Sequence, residues 1–228
     1  MKKAAFGILL ALSVVIFAVG AWAGTDKTQD PPKAPQGYIV VEEDVAVVLA
    51  DEHQHYFKKA HEAFLTKNYK TAAADIRKAI GFLKLDAAAA DSEGRKALAD
   101  SVNELEKIAI DTESGKVDSV KVLEQAFSRA DYALAKAQHV KATESWAKKK
   151  IKETGHALKN AALHLENAAK WAGQELEIGT VDVIKGARIV AGKLIEGAGW
   201  VPEEVGKGIT AIGTEISKFG KKLEPDKK

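Results

Sequence analysis

The chain has 228 residues, 46% hydrophobic and 29% charged, with 34 basic against 32 acidic side chains and no cysteine. That length suffices for one sizeable domain or two small ones, and the near balance of charge excludes the net basic stripe that nucleic-acid binding needs. The missing cysteines exclude disulfides, thiolate zinc sites, a cysteine-borne lipid anchor and covalent haem attachment through Cys-x-x-Cys-His.

Residues 1–23 read as a secretory signal peptide. Met1-Lys2-Lys3 is a positive start, Ala4 to Val19 is an almost unbroken apolar run, and Ala21-Trp22-Ala23 sets small residues before a cut ahead of Gly24. The run is short for a membrane span of ~20 residues. A periplasmic protein is therefore expected, or a secreted one where the host has a single membrane. The signal carries two lysines and no acid, so the mature chain is left with no net charge. Residues 24–40 are polar and proline-rich, as an extended or disordered leader would be.

Residues 41–178 are predicted to form a helical bundle. The stretch from Val41 to Gly179 lacks proline and is rich in Ala, Lys, Glu and Leu. Apolar residues recur at i, i+3, i+4 and i+7, the amphipathic-helix period. A first helix over about 41–66 carries Val45, Leu49, Tyr56, Ala60 and Phe64. A second over about 70–111 carries Ile76, Ile80, Leu83, Leu98, Leu105 and Ile108, with Asp91-Ser92-Glu93-Gly94 able to kink or divide it. A third over about 117–148 carries Leu123, Phe127, Ala130 and Leu134. A fourth over about 151–176 carries Leu158, Ala161, Ala162, Leu165 and Ala169, with Leu163 and Trp171 roughly opposite. Short links make neighbours antiparallel, so the predicted fold is all-α, an up-down antiparallel helical bundle.

Residues 57–88 match residues 139–170 at an offset of 82, pairing Glu62 with Glu144, Phe64 with Trp146 and Lys67 with Lys149. One reading is a duplicated helical hairpin, with an aromatic cleft between Phe64 and Trp146; the other is chance likeness between Lys/Ala-rich hairpins. With its small and aromatic residues and tight turn, the hairpin resembles the tetratricopeptide type over about thirty residues. The threefold repetition at a period of about 34 residues that such arrays need is absent.

Residues 179–223 are predicted to add two glycine-rich amphipathic helices, parted near Gly197-Ala198-Gly199-Trp200 and followed by a polar tail at 224–228. Gly192, Gly199, Gly206, Gly213 and Gly220 fall seven apart. Each glycine costs a helix interior about 1 kcal/mol relative to alanine, so a stripe of them points to close contact. With Val205, Ile209, Ile212, Ile216 and Phe219 they form the candidate interface, covered by the bundle itself, by a protein partner or second copy, or by peripheral contact with a membrane.

The histidines are the candidate metal ligands: His53, His55, His61, His156 and His164, with His139 ending the third helix. His53 lies on the apolar side with Leu49, Phe57 and Ala60, where a core histidine or a ligand for a metal or b-type haem would sit. His55, His61, His156 and His164 are expected to be exposed, able to collect a metal only if the fold makes them converge. Two Glu-x-x-His steps, Glu52 to His55 and Glu153 to His156, have the wrong phase for a di-iron core. No nucleophile or acid/base motif appears, and no cofactor is expected by default. The sequence reading is an exported, non-catalytic bundle that works by protein binding, with a periplasmic metal- or haem-binding carrier or sensor as the alternative. Amino-terminal sequencing of exported protein is expected to begin at Gly24; retention of residues 1–23 in the mature chain would refute the signal.

Overall fold

The computed structural model describes residues 51–223. The signal peptide, the leader, residues 41–50 and the tail lie outside the described residues. All described secondary structure is helical: α1 Glu52–Leu65, α2 Tyr69–Ala89, α3 Ser92–Glu113, α4 Val120–Ala147, α5 Ile151–Trp171, α6 Ile178–Glu196 and α7 Pro202–Leu223. None is long and apolar enough to cross a membrane.

The chain packs as a helical bundle with two adjoining cores. The first buries Phe57, Ile76, Leu83, Leu98, Leu105, Leu123, Phe127 and Leu134 between α1, α2, α3 and α4. The second buries Leu158, Leu165, Ile184, Leu194, Val205 and Ile212 between α4, α5, α6 and α7. Burying each such side chain stabilises by roughly 1.5–3 kcal/mol. α4 belongs to both cores, and the second core draws on residues either side of position 178.

The long second helix of the sequence reading is two helices. Asp91 ends the chain's course through α2 by capping α3, accepting from the Gly94 N–H at 2.8 Å and the Glu93 N–H at 3.3 Å. The likeness at offset 82 extends to the backbone. Lys67 and Lys149 are the only described non-glycine residues at positive φ, at 61° and 57°. Around them Thr66 N–H bonds Glu62 O and Asn68 N–H bonds Ala63 O, as Lys148 N–H bonds Glu144 O and Lys150 N–H bonds Ser145 O. The expected cleft between Phe64 and Trp146 is not formed. α1 runs antiparallel to α4, which puts Phe64 level with the start of α4 and Trp146 at its far end, about 40 Å away. Phe64 packs on Tyr69, and Trp146 on Trp200.

The apolar stripe of α7 is covered from within. Val205, Ile209, Ile212, Ile216 and Phe219 are all buried in the second core, so the candidate interface is an intramolecular one. Its glycines divide by use. A Cβ on Gly213 would lie 2.4 Å from His139 Nε2, and one on Gly220 would lie 2.1 Å from the Tyr132 hydroxyl. Tyr132 and His139 are themselves seven apart on α4, so two notches of α7 receive two side chains of α4 in antiparallel order. His139 Nε2 then meets the Ile209 carbonyl at 3.1 Å. Gly192, Gly199 and Gly206 face open space. Gly220→Ala is therefore expected to destabilise by about 1–3 kcal/mol through overpacking. Gly206→Ala should be neutral or stabilising by up to about 1 kcal/mol through helix propensity. Urea midpoints compare the two; equal effects would refute the notch assignment.

Candidate metal centre

Three helices bring ionisable side chains together where the two cores meet. His53 stands in the first turn of α1, Asp131 near the middle of α4, and His164 in the third turn from the end of α5. Each falls on a buried face: Asp131 lies four residues after Phe127 and three before Leu134, and His164 lies three after Ala161 and four before Ala168. All three are at most 1% exposed.

The Asp131 carboxylate is the hub. Its Oδ1 lies 3.2 Å from His53 Nε2 and 3.3 Å from His164 Nδ1. Its Oδ2 accepts from the Gln54 side-chain amide. Trp171 Nε1 donates to Gln54 Oε1 at 3.0 Å, and that bond fixes the amide with its nitrogen toward Asp131. Phe57 and Phe127 stack beside the cluster with centroids 4.1 Å apart, and the Trp171 indole meets both edge-on. One donor atom is unused: His53 Nδ1 is buried and has no hydrogen-bond partner.

Burial opposes charge on these groups, yet pairing outweighs it. Desolvation would lower the His53 pKa, but the hydrogen bond and charge of Asp131 leave it raised above the ordinary 6.5. Desolvation would raise Asp131, but hydrogen bonds from His164 and His53 leave it below the ordinary 3.8. Asp86, on α2, feels both histidines and Lys141, and burial still pushes its carboxyl up.

The donor set suits a metal ion. One nitrogen from each histidine and one Asp131 oxygen all lie within 4.8 Å of one another. Bonds of about 2.0–2.1 Å in a tetrahedron put neighbouring donors about 3.3 Å apart, close to the two separations from Oδ1. The same separations serve hydrogen bonds, so protons occupy the places a metal would take.

Of the sequence candidates, His53 and His164 meet and the other three do not. The expectation that His164 is exposed is corrected: α5 is sandwiched between α4 and α6, so two of its faces are buried. His55 is exposed, with its ring edge-on to Tyr56. His61 pairs with Glu124 at 2.9 Å. His156 lies partly buried eight residues before His164, ~12 Å along the helix. Sequence reasoning missed Asp131, Gln54, Trp171 as a donor, and Asp86. The signal for Asp131 was a carboxylate in phase with the apolar stripe of its helix.

Comparison with known proteins gives no relative: no protein-family model, no curated protein and no solved structure matches the chain.

Asp131→Ala is expected to cost about 3–5 kcal/mol, because it leaves buried partners uncompensated. In metal-free protein the His53 contribution is full below pH 6.5 and is lost as pH rises through the higher folded value. The Asp131 contribution is present above 3.8 and is lost as pH falls through the lower folded value. Urea unfolding should therefore show stability from this cluster greatest between about pH 4 and 6.5, declining above. Asp131→Asn should flatten the decline; an unchanged slope would place its origin elsewhere.

Proposed function

We propose that the protein is an exported helical-bundle protein that holds a divalent transition-metal ion in its core, through His53, Asp131 and His164. The observation that carries this reading is the meeting of three buried donors from three separate helices, with the two separations from Asp131 Oδ1 close to those of a tetrahedral site and all three donors within 4.8 Å. Two imidazoles and a carboxylate, without thiolate or thioether, suit zinc and its first-row neighbours rather than a soft monovalent ion.

Enclosure favours retention of an ion over catalysis on an organic substrate, because His53, Asp131 and His164 are shut off from solvent. The imidazoles converge on one carboxylate oxygen instead of facing each other across a haem-sized gap. That geometry favours a metal ion over haem. A protein-binding role retains no specific surface from the α7 stripe, which is spent on the second core.

Elemental analysis of tag-free protein, purified without chelators, is expected to find about one equivalent of a transition metal. His53→Ala and His164→Ala should lose it. Added zinc at a hundredfold its Kd should stabilise the apoprotein by about 2.7 kcal/mol. A metal-free protein that gains no stability from zinc, cobalt, nickel or copper would overturn the reading.

A further inference from the structure

Three donors leave a divalent ion with uncompensated charge. Asp131 supplies one negative charge and two neutral imidazoles supply none, so the centre would carry a net positive charge inside the protein. Unpaired charge in such surroundings is expensive. A closed tetrahedral site also needs a fourth donor.

Asp86, half-buried and outside the trio whose donor atoms lie within 4.8 Å of one another, is the carboxylate whose position on α2 lets it turn in to meet both needs. It continues the core-facing stripe of α2, after Ile76, Ala79 and Leu83, at steps of three and four. α1 and α2 form an antiparallel hairpin, and the Tyr56 ring stacks on Phe82 with centroids 5.8 Å apart. Three residues back from Tyr56 is His53, and four residues on from Phe82 is Asp86, so the two stand at one level of the hairpin. The Asp86 carboxylate interacts electrostatically with His53 and, less, with His164 and Lys141. Asp75 and Asp91, by contrast, are engaged by Lys78 and by the start of α3.

We propose that Asp86 is the fourth protein ligand, so that His53, His164, Asp86 and Asp131 hold a divalent cation in a neutral, four-coordinate centre. The inference rests on the metal binding proposed above and adds its charge selectivity. Two carboxylates cancel a divalent ion and leave a monovalent one with net negative charge. The quartet draws on four elements, α1, α2, α4 and α5, so metal binding ties the first hairpin to the α4–α5 pair.

The test is titration of the mature chain with cobalt(II) chloride, followed by zinc competition, for the unmutated protein, Asp86→Asn and His164→Ala. The expected result is one tetrahedral cobalt centre in the unmutated protein. Asp86→Asn should bind at least about tenfold more weakly with altered d–d bands, and His164→Ala should lose the centre. If Asp86→Asn matches the unmutated protein in affinity and spectrum, the Asp86 assignment is overturned while the three-residue site stands. If the unmutated protein binds neither metal, the function proposed above fails, and this inference with it. A readout that needs no variant is the Asp86 side-chain carboxylate carbon in NMR, which should shift on zinc addition; a resonance that stays put also overturns the assignment.

Discussion

A single buried carboxylate organises this molecule. Asp131 is fully enclosed, and both its oxygens are engaged by groups from other helices: His53 and Gln54 from α1, and His164 from α5. A buried charge without such partners would cost several kcal/mol, so the position of Asp131 dictates where α1 and α5 must lie. The antiparallel register of α1 on α4 follows in successive layers. His53 meets Asp131, Phe57 stacks on Phe127, and His61 meets Glu124. Trp171 closes the arrangement from α5, donating to Gln54 while its ring packs on both phenylalanines.

The two-core architecture follows from α4 serving both sides. Its 28 residues present Phe127 and Leu134 to the first core, and Ala135 and Ala142 to the second. The alanines of α4 and α5 allow the two helices to approach closely, which makes the core slim and leaves little apolar bulk to spare. α7 completes the second core by a different device. Glycine removes the side chain where Tyr132 and His139 project, so aromatic rings fill space that alanine would close. Only Gly213 and Gly220 of the heptad serve this purpose, although all five share the spacing.

The helices and their breaks were largely legible in the chain. The period of 3.6 placed α4 and α5 within a few residues, and Asp91-Ser92-Glu93-Gly94 marked the break that Asp91 makes by capping α3. The centre was half legible. His53 stood out because its neighbours on one face are all apolar. His164 did not, because a helix packed on two sides has two apolar faces, and its alanines do not say which is inner. Asp131 was hidden for a related reason: a carboxylate between Ala130 and Tyr132 reads as a surface residue until its phase against Phe127 and Leu134 is counted. The convergence itself is a tertiary fact, spread over positions 53, 131 and 164. No spacing rule within one helix reports it.

The cluster also bears on what the chain is for. Leucine or phenylalanine at positions 53, 131 and 164 would extend the apolar cores with no desolvation penalty, and such replacements of buried ion groups are commonly neutral or stabilising. The cluster therefore fixes the register of α1 and α5 at a cost in desolvation, with His53 Nδ1 left unsatisfied. The metal binding proposed above would offset part of that cost: a cation would take the lone pairs of His53 Nε2 and His164 Nδ1 and share the charge of Asp131, and the free energy of binding would add to folding. The polar seam between the cores is intelligible as a site, and costly as mere packing.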